Sequence, residues 1–457
     1  MKNVKLTKLW DTLQSSYWFL PGLMALMGMI LAFVMLALDE AEAVRTRELA
    51  WIYKGGPNGA RGLLSAVASS MVTVAATAFS ITIVALQLAA SNFGPRLLRN
   101  FMQDTGNQIV LGTFLSTFLY SLLVLRTIHG EDYDLFVPQL SVTIGIVLAI
   151  ASIGVLIYFI HHASTIIQAS YVIASVAEEL ENAIDRIFPE AIGHTYSEIE
   201  TQKIDLPKDF ETHAYPIAAT NTGYLQIIDD QQLMKLASRY NLLLHIMSKP
   251  GEFVVSGQPL LLVYPGERIN PKLTHHVKQA FLLGKERTEQ QDVEFPINQL
   301  AEIALRAISP GINDPFTAIR CIDRLSAGLT QLVQRPVPSA YRYDDNAKLR
   351  IIAEPIPFET LIDSAFSQIR RYAASDVAVT IRLLQAIQLI ITKTTQFKHL
   401  LILRKHAEEI HHGSCERLSK KTDQQLITEH WKTVLQALEK QKQVIEQINI
   451  DVSKSRG

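Results

Sequence analysis

Four long uncharged apolar runs in the first 160 residues constrain this chain more than any other feature. They are "YWFLPGLMALMGMILAFVMLAL" from Tyr17 to Leu38, "LLSAVASSMVTVAATAFSITIVALQLAA" from Leu63 to Ala90, a run near Ile109 to Leu125 and one near Leu140 to Ile160. Each approaches or exceeds the roughly 20 apolar residues that carry a helix across a bilayer. The competing reading, core helices of a large soluble protein, does not account for four such runs in succession. The first run is also too long for a signal peptide, and no small-residue cleavage site follows it. The expectation is a four-span transmembrane domain over 1–165.

The loops give the orientation. Lys2, Lys5 and Lys8 precede the first span, Arg96 and Arg99 separate the second from the third, and "HGEDYDLF" between the third and fourth is acidic. Positive charge stays on the cytoplasmic side, so both termini are expected there. Trp10, Tyr17, Trp18 and Trp51 sit near span ends, where interfacial aromatics collect. Formal net charge is −1, which gives no bulk attraction to nucleic acid. Cys321 and Cys415 form no paired metal or redox spacing, in keeping with a reducing compartment.

Beyond the spans the text changes twice. From Ile166 the apolar residues Val172, Val176, Leu180, Ile184 and Ile187 recur at helical spacing, so the fourth span is expected to run on as a helical connector over 166–200, ended by Pro189 and Gly193. Residues 201–270 read as a small β module, with turns at Pro250-Gly251 and Ser256-Gly257. Its glycine turns resemble the β-sandwich of biotinyl and lipoyl carriers. "TGYLQIIDDQQLMKLASRYNLLL" nevertheless reads as helix where their modified hairpin would fall, so neither biotin nor lipoate is expected at Lys235. Residues 271–457 return to helix. Leu300, Ile303, Ala304 and Ala307 share one face, and Leu361, Ala365, Ile369 and Tyr372 another. The stretch from Asp376 to Ile410 reads as one long central helix, and "YRYDDNAKLRIIAEP" as a turn and one strand. The fold class expected is mostly α: four transmembrane helices, then a cytosolic domain with a small β-sandwich-like module and a helical bundle.

Two groups of residues are candidates for function. In the second span Ser69, Thr73, Thr77 and Ser80 recur at four, four and three, with Gln87 near the same face. Such a stripe either packs helices closely or lines a water-filled path in an oligomer. No charged residue lies in the span, which argues against a proton relay. Arg96 and Arg99 just after it are placed to meet phosphate headgroups or an anion. The second group surrounds "AISPGINDPFTAI", residues 307–319. Pro310 stops a helix, Gly311 permits positive φ, and Asn313 or Asp314 can cap the next helix, with Pro315 in its first turn. Ser309 and Asn313 can bond the backbone groups freed at the two helix ends. The structural reading is a capped restart. The functional one is a polar ligand pocket shared by Arg287, Asp292, Arg306, Ser309, Asn313 and Asp314.

The paired histidines, His161-His162, His275-His276 and His411-His412, point about 100° apart on a helix and rarely chelate one metal. His411 and Cys415, four apart, lack the further ligands of a site, so no metal or cofactor is expected. No GxSxG elbow, phosphate-binding loop, HExxH or dinucleotide fingerprint is present.

Several segments in order, "QLAASNFGPRLLRNFMQDTGNQ", "FLYSLLVLRT", "YFIHH", "GKERTEQQDVEF", "ALRAISPGINDPFTAI" and "QIRRY", resemble the bacterial predicted membrane proteins called domain of unknown function 2254. The resemblance covers nearly the whole chain and implies four spans and a cytosolic C-terminal half. It implies no activity. Val377 departs from it, standing where a proline is expected after Ser375-Asp376. The functional expectations are therefore three, in this order: an oligomeric channel- or transporter-like protein with a cytosolic sensing domain, a membrane-anchored scaffold or signal receiver, and last a membrane enzyme acting in the cytosol, for which the sequence offers no reaction. The partners expected are the lipid bilayer and further copies of the chain.

Overall fold

The computed structural model describes residues 16–41, 51–94, 102, 104–129, 136–188, 207 and 209–455, and the chain divides into two compact units, 1–171 and 172–457. In the N-terminal unit the four apolar runs are helices α1 (Phe19–Glu40), α2 (Pro57–Phe93), α3 (Thr105–Thr127) and α4 (Gln139–Ile166), each long and apolar enough to cross a membrane. Their outer faces require lipid. Ile150, Ile157 and Ile160 on α4 are all more than 60% exposed, an arrangement water would not tolerate. The most enclosed of the four is α3, with Phe114, Tyr120 and Val124 wholly buried.

Small and hydroxylated residues let these helices approach. A Cβ on Gly28 of α1 would lie 2.4 Å from Ser116 Oγ and 2.8 Å from the Ser116 carbonyl oxygen of α3, so only glycine fits. Tyr120 Oη donates to the Ser141 carbonyl at 2.8 Å, and the Thr117 and Ser152 hydroxyls meet at 3.1 Å. Asp39, at the end of α1, caps α4 from outside. Its carboxylate accepts from Leu140 N, Ser141 N and Ser141 Oγ at 3.0, 2.9 and 2.6 Å. Asp104 caps α3 through Asn107 N at 2.8 Å and also holds His162 Nε2 at 2.8 Å. His162 therefore has a partner inside the unit, and its ring stacks on Tyr158.

The fourth span does not run on unbroken. It ends at Ile166, and α5 (Ala169–Ile187) begins after a two-residue turn. Ser164 and Thr165 both donate to the His161 carbonyl, at 2.9 and 3.0 Å, and Gln168 Nε2 reaches the Ser164 carbonyl. These local bonds compete with the helical ladder. The terminators Pro189 and Gly193 lie outside the described residues, as do Lys2, Lys5, Lys8, Trp10, Arg96, Arg99 and the centre of the acidic loop.

Among the described residues, the C-terminal unit contains two small sheets. One has the order β1 (Tyr215–Ala218), β5 (Pro259–Tyr264), β3 (Leu243–Ile246), β8 (Leu349–Ile352) and β7 (Tyr341–Tyr343); the other is β4 (Phe253–Val254), β2 (Gly223–Ile228) and β6 (Phe281–Gly284). Helices α6 (Asp230–Tyr240) and α7 (Pro271–Gln279) bury Leu233, Ala237, Leu273 and Val277 with Leu225, Leu244 and Val263 of the strands. Of the stretch around Lys235 that reads as helix, only Asp230–Tyr240 is helical, as α6; its two ends, Gly223–Ile228 and Leu243–Ile246, are strands β2 and β3. The sheet draws on residues outside 201–270: β8 pairs with β3 in parallel, and "YRYDDNAKLRII" forms a hairpin of two strands rather than one. Asp344 closes that hairpin by accepting from Asn346 N and Lys348 N, at 2.9 and 3.0 Å.

Besides short helical turns at Phe210–His213 and Gly266–Arg268, the other described helices are α8 (Glu294–Ala307), α9 (Pro315–Val333), α10 (Phe358–Ile362), α11 (Gln368–Ala373), α12 (Val377–Lys393), α13 (Phe397–Arg417) and α14 (Lys421–Ser455). The face Leu300, Ile303, Ala304 and Ala307 is buried as its spacing requires. The face ending at Tyr372 is not. Leu361, Ala365 and Ile369 are buried, but Tyr372 is 67% exposed. A five-residue π-helical turn, Asp363–Ser367, joins α10 to α11. It widens the helix and shifts its register by one residue, so Ala373 takes the inner position. The long apolar run after Asp376 is likewise two helices. Thr394 leaves the helix with ψ 130 while its hydroxyl bonds back to Ile390, and Gln441 Nε2 takes the carbonyl that Thr394 no longer gives to a helix. Asp376 starts α12 by accepting from Val379 N at 2.9 Å, so the helix begins cleanly with Val377 where a proline was expected.

Candidate functional site

The second span has two faces with different chemistry. Ala60, Leu64, Ala68, Met71, Ala75, Ala78, Thr82, Ala85, Ala89 and Phe93 are buried, and Met71, Ala75 and Ala78 pack with Val110, Leu111 and Phe114 of α3. Ser69, Thr73, Thr77, Ser80 and Gln87 are all exposed. At about 100° per residue their mean direction lies roughly 180° from the buried face. Among the described residues of the N-terminal unit, the stripe therefore does not pack helices together. Two of its hydroxyls are satisfied locally: Thr73 Oγ1 donates to the Ser69 carbonyl and Thr77 Oγ1 to the Thr73 carbonyl, each at 2.9 Å. Gln87 has no such partner among the described residues. The helix ends at Phe93 with Gly94 at φ 112, as "FGP" implied.

The turn at 307–319 is a capped restart. Ser309 Oγ donates to the Arg306 carbonyl at 2.6 Å, and Asn313 N donates to the Ser309 carbonyl at 2.9 Å. The residue with positive φ is Asn313, at 52°, and not Gly311. Asparagine tolerates this region better than most side chains, so glycine's freedom is not needed there. Asp314 is the cap, accepting from Thr317 N at 3.1 Å and Thr317 Oγ1 at 2.6 Å, with Pro315 in the first turn of α9. The bond from Thr317 holds the Asp314 carboxyl below the usual carboxylate range. Arg306 pairs along its own helix with Glu302 at 3.6 Å.

Arg287 and Asp292 form a second group. Arg287 Nε and Nη2 reach Asp292 Oδ2 at 2.8 and 2.6 Å, and Asp292 Oδ1 accepts from Glu294 N at the start of α8. Asp292 is 1% exposed; burial pushes its carboxyl up while Arg287 pulls it down. A Cβ on Gly251, already at φ 91, would lie 2.3 Å from Asp292 Oδ2. The pair thus sits hard against the Pro250-Gly251 turn, where only glycine fits. It clamps a β turn to a helix start. The six polar residues grouped from the sequence line none of the three cavities described for this unit.

The family model for predicted membrane proteins of the domain of unknown function 2254 (DUF2254) matches residues 14–388. The chain belongs to this family. The DUF2254 chain is 34% identical over 387 residues to an uncharacterized protein of Mycobacterium bovis and to an uncharacterized protein of Mycobacterium tuberculosis H37Rv, covering 82% of this chain and 71% of each relative. No solved structure matches it.

One feature of this DUF2254 member escapes a reading of sequence. A polar cavity of about 480 Å³ is lined by Asn298 of α8, by the π turn, by α11 and by α13. Its residues come from positions far apart in the chain, and the π turn that shapes it has no simple sequence signature. The "QIRRY" segment, which forms α11, was the one visible signal. His411 and Cys415, by contrast, are absorbed structurally. The His411 ring stacks on Trp431, its Nε2 meets Thr428 Oγ1 at 3.0 Å, and Cys415 Sγ lies 3.6 Å away.

Proposed function

We propose that this membrane protein is an oligomeric channel- or transporter-like protein of the bacterial plasma membrane, with both termini and the C-terminal unit in the cytoplasm. One observation carries the reading: the polar stripe of α2 faces away from the described helices that α2 packs against in its own unit. An outward stripe on a spanning helix meets either lipid, a second copy of the chain or water. Thr73 and Thr77 satisfy their own hydroxyls, but Gln87 exposes an amide whose transfer into hydrocarbon costs several kcal/mol without a partner. Symmetric assembly around α2 gives that face neighbours and water together. Loop charges support the orientation. A membrane-anchored receiver is favoured by a different observation, the polar cavity of the C-terminal unit.

Thiol accessibility tests the channel reading. In a background where Cys321 and Cys415 are replaced, Ser69→Cys, Thr73→Cys and Thr77→Cys are each expected to react with a membrane-impermeant methanethiosulfonate, and reaction is expected to change solute flux in proteoliposomes. Cysteines that stay unreactive at all three positions, in a protein that purifies as a monomer, overturn it.

A further inference from the structure

We infer that the cavity over the π turn binds a small phosphorylated compound carrying hydroxyl groups, of nucleotide or sugar-phosphate size. The volume of about 480 Å³ falls within the range of roughly 300–1,000 Å³ common for small-molecule sites. The lining is polar. Arg370, Arg371 and Lys405 supply positive charge, while Asn298, Ser364 and Ser367 supply neutral donors and acceptors. Against the three cations stand two carboxylates, Asp363 and Glu409.

The way these charges are already used decides what remains for a ligand. Glu409 is paired with Arg370. Lys405 Nζ holds Glu359 at 3.1 Å, but both side chains are about half exposed, so that pair is weak and easily exchanged. Arg371 has no carboxylate partner among the described residues. Asp363 accepts from Ser367 Oγ at 2.9 Å and faces His406 Nε2 at 3.3 Å. One guanidinium and one ammonium are therefore open to an anion. Asp363 and the serines suit the hydroxyls of a sugar.

Two buried atoms in this part of the fold have no hydrogen-bond partner in the protein. Arg370 Nε is buried without an acceptor, and so is Nδ1 of His406, whose side chain is 1% exposed. Buried polar atoms without partners cost free energy and are few in folded proteins. The π turn is the other unusual feature, since such turns weaken a helix and are found disproportionately at functional sites. Here it supplies Asp363, Ser364 and Ser367 to a single wall. Guanidinium groups bind phosphate in two-pronged fashion, which favours phosphate over a single carboxylate.

The test uses the full chain purified in detergent, with inorganic phosphate, ribose 5-phosphate and AMP as probes at matched ionic strength and with acetate as the control. Thermal shift and titration calorimetry are expected to register at least one phosphate probe and not acetate. Arg371→Ala and Lys405→Ala each remove one charge-assisted contact and are expected to weaken binding by about tenfold. Arg371→Lys is expected to fall between them and the parent. Both parent side chains are exposed, so the melting temperature without ligand should be unchanged. A second arm adds nanodiscs with and without phosphatidylglycerol. Binding of soluble probes assigns a free phosphate compound, and stabilisation only by the anionic lipid assigns a headgroup. No response in either arm, or folded Arg371→Ala and Lys405→Ala variants that bind like the parent, overturns the inference.

Discussion

Among the described residues of the N-terminal unit the fully buried polar side chains are neutral: Thr117, Ser121, Ser141 and Ser152 among them. In the C-terminal unit burial extends to charged groups, Asp292 under a partly exposed Arg287, and the Arg350 and Asp344 side chains paired at 2.7 Å. The outer surfaces are reversed as well, with bare isoleucines on α4 and ion pairs such as Arg404–Glu408 on α13. The difference follows from solvent. A charge inside a bundle surrounded by hydrocarbon has no water to fall back on, whereas a hydroxyl can bond its own helix. The outward stripe of α2 is the exception to this division, because polar side chains there occupy a surface where the neighbouring helices show apolar ones. That exception is why assembly around α2 is the reading to test first.

The largest effect is expected where a neutral polar side chain does structural work between helices. Tyr120 is wholly buried, and its hydroxyl ties α3 to α4. Tyr120→Ala removes an aromatic side chain and leaves a cavity, at a cost of about 3–5 kcal/mol. Melting of the detergent-solubilised chain measures it. The paired variant Thr73→Val and Thr77→Val, on the exposed stripe, is expected to change protomer stability by less than about 0.5 kcal/mol. If the stripe variant unfolds as readily as Tyr120→Ala, the distinction between packing hydroxyls and outward hydroxyls is gone.

A mid-sized effect belongs to a buried group of the C-terminal unit that has no charge partner. His399 is 6% exposed, lies against the Phe358 ring at 4.2 Å, and has Nδ1 unpaired. Burial, with Lys398 nearby, pushes it down from the usual 6.5 to about 4. Between those values the unfolded chain binds a proton that the folded chain refuses, so stability falls as pH drops from 6.5 towards 4 and is level above. The full span corresponds to on the order of 3 kcal/mol. His399→Leu should flatten this part of the curve of melting temperature against pH. A parent-minus-variant difference that does not depend on pH sinks the assignment.

Much of this was legible in the chain. Four spans, a β segment and a helical remainder follow from hydropathy and turn residues, because those features act locally. The Asp314 cap and the break at Gly94 could be read for the same reason. What could not be read depends on contacts between distant residues. The break at Thr394 answers a bond from Gln441, and β8 joins β3 by pairing Ile351 with Leu244. The π turn defeated the simple spacing that placed Tyr372 inside. The ligand group drawn from Arg287 to Asp314 joined residues by charge and proximity in sequence, whereas the fold sets them in a clamp and a capped turn. The cavity beside Arg371 needed four segments to be assembled before it existed.

The smallest effect compares two carboxylates doing one task in the two units. Asp39 caps α4 from another helix, whereas Asp314 caps α9 from its own turn, half exposed to water. Asp314→Ala is expected to cost about 1 kcal/mol, the usual value of a lost cap. Asp314→Asn should keep most of that, since the amide oxygen can still accept from Thr317 N. The two differ in acid. The folded carboxyl titrates below its unfolded value, so its contribution is complete above about pH 4 and is lost as pH falls through the lower folded value. The parent should therefore lose its margin over Asp314→Ala in acid, while Asp314→Asn keeps its own. Equal acid dependence in all three would show that Thr317 is held by the turn and not by the charge.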